Sequence, residues 1–316
     1  MVQTAAEKAT REVFGPTLAK LAREGLDIVC VDADLGYSTS AVKFGQEFPD
    51  RFFAVGVAEQ NMIGVAAGLA AAGKIAFCSS FAVFAPGHCF DQLRMAVAQP
   101  RTNVKLFASH AGVVTGEDGA SAQALEDLAL MLSMPTFTVL FPADAVECEQ
   151  MIEAAARTDG PFYIRALRAK TPIIFDESYC FESGKWPVLR EGKDVTLIAC
   201  GELVKAAIDA AEMLAGEGTE ARVLNASSLR PIDRDALLAA AKETGAIATA
   251  EDHFLHGGLY GVVTQELAAS QPTPVEFVGM TTYGTSGTAT QLLEHFDLTP
   301  EAIARAARNA LARKSR

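Results

Sequence analysis

Residues 55–79 read Val55-Gly56-Val57-Ala58-Glu59-Gln60-Asn61-Met62-Ile63-Gly64-Val65-Ala66-Ala67-Gly68-Leu69-Ala70-Ala71-Ala72-Gly73-Lys74-Ile75-Ala76-Phe77-Cys78-Ser79. Residues 62–72 carry helical spacing, and residues 75–79 form a short apolar run of strand length. The same alternation extends in both directions. Residues 27–31, 104–109, 137–141 and 162–166 read as further buried strands, and residues 85–98, 123–132 and 144–156 as helices. Pro142-Ala143-Asp144 is a helix entry with Asp144 as its cap. Strict alternation of strand and helix predicts an α/β fold whose mostly parallel sheet is covered on both faces. Sites in such sheets gather beyond the carboxyl ends of the strands.

Between about residues 170 and 193 the pattern lapses into Pro172, Asp176, Glu177, Ser178, Gly184, Pro187 and a string of charges, which reads as a linker. Alternation then resumes, with strands at 195–200, 221–225, 246–250 and 275–278. Helices fall at 203–214, from about Asp233, and after Gly257-Gly258. The expected organisation is two doubly wound domains: the first over residues 1–170, a linker over 171–193, and a smaller α/β domain over 194–316.

Half of the 316 residues are hydrophobic and 21% are charged, which excludes a disordered chain. The opening MVQTAAEKATREVF has no apolar signal core, and the uncharged stretch near residues 61–73 is too short to cross a bilayer. A soluble cytoplasmic protein without a membrane partner is expected. The net charge of −12, with no basic run beyond Arg313, Lys314 and Arg316, argues against a nucleic-acid partner. Six cysteines lie scattered without a CxxC pair, most in apolar strand-like contexts, and read as buried thiols rather than a metal site.

Glu59 opens a helix that is otherwise almost wholly apolar and rich in Gly and Ala, residues that let backbones approach closely. A carboxyl enclosed there is desolvated, which favours its protonated form and fits it to share a proton. A glutamate at a helix start also suits the positive end of the helix dipole, and the segment alone permits both readings. Phe77, Phe81 and Phe84 run through the end of the 75–79 strand and past it, where they suit either a core or a platform for a flat heteroaromatic cofactor. The loop His110-Ala111-Gly112-Val113-Val114-Thr115-Gly116-Glu117-Asp118-Gly119-Ala120-Ser121 is long for a connection, as functional loops often are, although its Gly-Glu-Asp-Gly could also be a plain turn. In so acidic a chain an anionic ligand needs local cations. Arg11, His110 and Arg168 are the candidates in apolar settings, each of which could instead be structural. His253 and His256, flanking a Gly-rich turn, read as structural.

Together, residues 54–62, Phe77–Arg94 with its FCSSFAVF and FDQLRMA runs, and SHAGVVTGEDGASAQALEDLA resemble the pyrimidine-binding domain of transketolases. Ala250-Glu251-Asp252-His253 and His256-Gly257-Gly258-Leu259 resemble the transketolase C-terminal domain. The resemblance spans nearly the whole chain. It implies a thiamine-diphosphate enzyme that moves a two-carbon ketol unit from a ketose phosphate to an aldose. A full transketolase also carries a domain that holds the diphosphate and a divalent metal such as Mg2+ through a Gly-Asp-Gly motif, which this sequence does not contain. The resemblance therefore implies the C-terminal subunit of a split transketolase, active with an N-terminal partner subunit in an α2β2 assembly, with the metal held by the partner.

By the same resemblance, Glu59 is the catalytic acid that bonds N1′ of the aminopyrimidine. Phe81 and Phe84 pack against that ring with Phe77 nearby, and Asp34 lies close to the thiazolium. Arg11, Ser38, His110 and Arg168 hold the substrate phosphate, and Asp118 reads the donor's C2 hydroxyl. Some transketolases place a histidine a few residues after that aspartate, where this chain has Ala122, and Gln123 is the residue that could compensate. Rival readings are a subunit of deoxyxylulose-phosphate synthase or a 2-oxo acid dehydrogenase beta chain, and a non-catalytic transketolase-like partner.

Overall fold

The computed structural model describes residues 6–314. Its strands, in chain order, are β1 (Glu7–Ala9), β2 (Ile28–Asp32), β3 (Phe52–Ala54), β4 (Ile75–Phe81), β5 (Val104–Ser109), β6 (Thr138–Leu140), β7 (Phe162–Arg165), β8 (Lys170–Pro172), β9 (Val188–Arg190), β10 (Val195–Ala199), β11 (Ala221–Asn225), β12 (Ser228–Arg230), β13 (Ile247–Phe254) and β14 (Val275–Met280). A seven-stranded sheet has the order β12-β6-β7-β5-β4-β2-β3, and a five-stranded sheet the order β14-β13-β10-β11-β9. All pairings in the first are parallel except β12 with β6, and all in the second except β9 with β11. This is the expected α/β architecture. Its central strands are mostly apolar because helices cover both faces, and every residue of β2, β5, β7 and β10 is buried.

Lys105 is the charged residue within β5. Its ammonium donates to the carbonyls of Thr158 and Gly160 and lies 4.4 Å from the centroid of the Phe162 ring, and burial lowers its pKa to about 7. All six cysteines are free and, Cys180 apart, buried.

Two expected helices differ. Residues 85–98 are broken into Ala85–His88, Phe90–Gln92 and Leu93–Ala98, with Cys89 leaving helical geometry at φ −124°. The last piece is wound more widely, Gln99 N–H reaching the carbonyl of Arg94 five residues back. The helix expected over 123–132 begins only at Asp127. Its first residues are drawn into tertiary contacts: the Ala124 carbonyl accepts from Gly112 N–H and from the Arg165 guanidinium at 2.9 Å each. Asp144 caps the helix Ala145–Arg157 as expected, accepting from Glu147 N–H at 2.9 Å. Its other carboxylate oxygen takes the N–H groups of Ile174 and Phe175, so the same residue pins the segment that follows β8.

The two sheets are tied by buried polar groups. Arg165 donates to the Asp127 carboxylate at 2.8 and 3.1 Å and to the Asp252 carbonyl at 3.0 Å, and is fully buried with its partner. Glu147 of the first domain accepts from Asn225 of the second at 2.9 Å. His253 is enclosed in this interface, where burial lowers its pKa to about 4, and it accepts from Ala129 N–H at 3.4 Å. Among the described residues, no helix is long and apolar enough to cross a membrane.

Candidate active site

The carboxyl ends of β2, β4, β5 and β7 lie side by side, and the segments that leave them carry the candidate residues except Glu59, which follows β3, and Arg11, which precedes β2. After β2 the chain turns sharply. Asp34 is exposed with φ 66°, and the buried Asp32 carboxyl accepts from the N–H groups of Asp34, Leu35 and Gly36. Burial raises the Asp32 pKa to about 6 against the pull of those donors. The turn delivers the Ser38 carbonyl to Arg11, whose guanidinium donates to it at 2.6 Å.

At the end of β4, Phe81 stacks on Phe84 with centroids 5.7 Å apart. Phe84 stacks in turn on His88 at 5.3 Å, and His88 Nδ1 lies 3.5 Å from Glu59 Oε2. Glu59 is 8% exposed and opens the helix Glu59–Ala71. Phe77 is not part of this row. It points from the same strand two pleats deeper, fully buried against Phe14 with centroids 6.0 Å apart.

At the end of β5, His110 is 2% exposed with φ 59°, and its ring stacks on Phe81 at 3.6 Å. Its Nδ1 is 2.8 Å from the Ser109 hydroxyl, and in the tautomer in which Ser109 donates, Nε2 keeps its proton as a donor. Burial first, then the cations Arg11 and Arg168, lower its pKa to about 3. Arg168 follows β7 and reaches the loop, donating to Glu117 at 2.9 Å and to the Thr115 carbonyl at 3.1 Å, with Asp118 at 3.9 Å. Arg11 is lowered in pKa by burial and then by Arg168, which marks two cations held close together. Arg11, Ser38, His110, Asp118 and Arg168 therefore form one cluster. Asp34 and Tyr37, from the segment that leaves β2, are both exposed, Tyr37 at 85%.

The arrangement is a continuous row: a buried carboxyl at Glu59, then His88, Phe84, Phe81 and His110, then two guanidiniums. A flat heteroaromatic ring with a basic nitrogen fits against the stacked rings beside the acid, and an anionic substrate head group fits at the cations. Ala122 offers no polar group. The Gln123 amide nitrogen is occupied by backbone carbonyls, within reach of those of Val113, Gly116 and Thr285, while its Oε1 is buried without a hydrogen-bond partner.

His88 and Asp32 were not among the residues the sequence pointed to. Asp32 reads as the last residue of an apolar strand, and His88 is reached only because the short helix Ala85–His88 returns it to Phe84. Spacing of four from Phe84 was the one available signal.

Residues 6–173 match the transketolase pyrimidine-binding domain, and residues 184–303 match the transketolase C-terminal domain. A Methanocaldococcus jannaschii protein provisionally named as a transketolase C-terminal section is 41% identical over 302 residues, covering 94% of this chain and 95% of that one. Human transketolase is 39% identical, covering 96% of this chain but 49% of the human one. A solved split-gene transketolase, an inactive beta4 tetramer, is 45% identical with a TM-score of 0.91, covering 97% of this chain and 99% of the other.

Proposed function

The chain belongs to the transketolase family, and on that premise we propose that it is the C-terminal subunit of a split thiamine-diphosphate-dependent transketolase. It transfers a two-carbon ketol unit from a ketose phosphate to an aldose phosphate. The observation that carries this reading is the row from Glu59 through the stacked rings to the paired cations, all at one end of one sheet. Each group then has a task.

Thiamine diphosphate, when bound, would supply a nucleophilic carbon for two-carbon transfer, and the residues of the row would hold it and the substrate. Glu59 holds a proton at the ring nitrogen that faces it, and its enclosure keeps water from competing for that proton. Phe81 and Phe84 support the ring face. His110, neutral and with Nε2–H available, donates to a substrate oxygen, while Arg11, Arg168 and Ser38 receive the phosphate. Asp118, on the loop beside Arg168, reads a donor hydroxyl.

The rim of this row supports a partner. Val57, just ahead of Glu59, is 78% exposed, Tyr37 is 85% exposed, and Gly64 and Gly68 leave the outer face of the Glu59–Ala71 helix open. Large exposed apolar groups beside a site suit burial under another subunit. The N-terminal transketolase subunit, holding the diphosphate and Mg2+, covers them in a cytoplasmic α2β2 heterotetramer of pentose phosphate metabolism. The solved split-gene relative is an inactive beta4 tetramer, which accords with activity only in a complex with another subunit.

The test is purification of the tagged chain from its native cells, followed by assays of ketol transfer and of carbon dioxide release from pyruvate, with thiamine diphosphate and Mg2+ added. Transfer from a ketose phosphate without decarboxylation supports the proposal. Release of carbon dioxide would assign the chain to the 2-oxo acid or deoxyxylulose-phosphate branch.

A further inference from the structure

The loop that carries Asp118 is held from both ends by the second domain. Val114 N–H donates to the Asp252 carboxylate at 3.4 Å, and Gly112, with φ 73°, packs so closely on it that a Cβ would lie 1.9 Å from Asp252 Oδ2. At the other end the Ser286 hydroxyl donates to the Glu117 carbonyl at 2.7 Å. Between them Gln123 is the coupling piece. Its amide nitrogen is 2.8 Å from Thr285 O on the second domain and 3.3 Å from both Val113 O and Gly116 O on the loop, so its two N–H groups donate across to Thr285 and back to the loop, where the two carbonyls share one of them.

Asp252 belongs to β13, and the segment that supplies the Thr285 and Ser286 contacts, residues 281–288, is itself anchored. It leaves β14 and ends in the Thr288–Gln291 capping box of the helix Ala289–His295. Gly284 approaches Gln123 where a side chain would not fit, since a Cβ there would lie 1.9 Å from Gln123 Oε1. Gly287 O lies 3.5 Å from where a Gly116 Cβ would be, so the brace runs the length of the loop.

We propose that residues 281–288 are a brace through which the second domain positions the substrate loop, with Gln123 and Ser286 as its positioning residues. The second domain then sets affinity for the donor sugar without touching it. This role rests on the reading of Asp118 as a substrate contact, whereas the brace itself does not.

The test uses two variants of the full chain, Gln123→Leu and the solvent-side Ser286→Ala, with Ser286→Thr as the conservative rescue. Amide hydrogen exchange of residues 113–119 is expected to speed up about tenfold in both, as when one or two hydrogen bonds holding a loop are lost, and to recover in Ser286→Thr. In the complex with the partner subunit, KM for the ketose donor is expected to rise about tenfold, while half-saturation by thiamine diphosphate and kcat stay near those of the unaltered chain. Unchanged exchange in both variants overturns the brace. Faster exchange with an unchanged donor KM overturns its positioning role. An unaltered complex that moves no ketol unit counts against the proposed function, and the exchange result still decides the brace.

Discussion

The imidazole of His110 lies face to face with the ring of Phe81, centroids 3.6 Å apart and 17° from parallel. One ring of the platform thereby fixes the group that begins the substrate cluster. The contact also closes His110 from water, and two neighbouring guanidiniums act on it in the same direction.

His110 is expected to stay uncharged between pH 5 and 8. Burial, Arg11 and Arg168 set its pKa at about 3, against about 6.5 in the unfolded chain. Its folded pKa is lowered, so below about pH 6.5 the unfolded chain takes up a proton that the folded chain refuses. His110 therefore costs stability as pH falls from 6.5 toward 3. Ring resonances of His110 followed by NMR should show no titration in the pH 5 to 8 window, and a midpoint near 6.5 would contradict the assignment.

Replacing Glu59 with Gln is expected to slow ketol transfer by about 10²- to 10⁴-fold, the range of a lost acid–base partner, while thiamine diphosphate still binds. Exchange of the thiazolium C2 proton in the complex is the direct readout, and normal exchange in the variant would remove Glu59 from the mechanism.

The cations should discriminate by phosphate. Arg168→Met is expected to raise KM for a phosphorylated donor roughly 10- to 100-fold, the weight of one charge-assisted hydrogen bond, and to leave KM for the unphosphorylated sugar unchanged. Equal effects on both sugars would mean that Arg168 serves only to hold Thr115 and Glu117.

Arg165 is a separate matter of stability. Both it and Asp127 are shut off from water, so Arg165→Met strands a buried carboxylate and should cost about 3–5 kcal/mol. Denaturant unfolding measures this, and a loss below about 1 kcal/mol would show the pair to be no more than a surface-like contact.

Much of the fold was legible because buried parallel strands leave short, mostly apolar runs. Residues 104–109 form a strand with the expected bounds, and Asp144 caps the helix it was expected to cap. Strands of three residues such as Phe52–Ala54 and Ser228–Arg230 were not legible, since they exist through their partners rather than their own pattern. The site divides the same way. Glu59 stood out as one acid in an apolar segment, and the resemblance brought Arg11, Ser38, Asp118 and Arg168 to positions that the fold gathers into one cluster. Phe77 shares its aromatic character with Phe81 and Phe84, and only the depth of the strand separates core from platform. The contact of Gln123 with Thr285 was not legible from sequence because the two are 162 residues apart.

The most direct measurement is ketol transfer by this chain alone, by its N-terminal partner alone, and by the two mixed in equal amounts with thiamine diphosphate and Mg2+. Transfer is expected from the mixture and from neither part. Activity in the isolated chain, or a stable complex that binds thiamine diphosphate and transfers nothing, would contradict the assignment as the C-terminal half of a split transketolase.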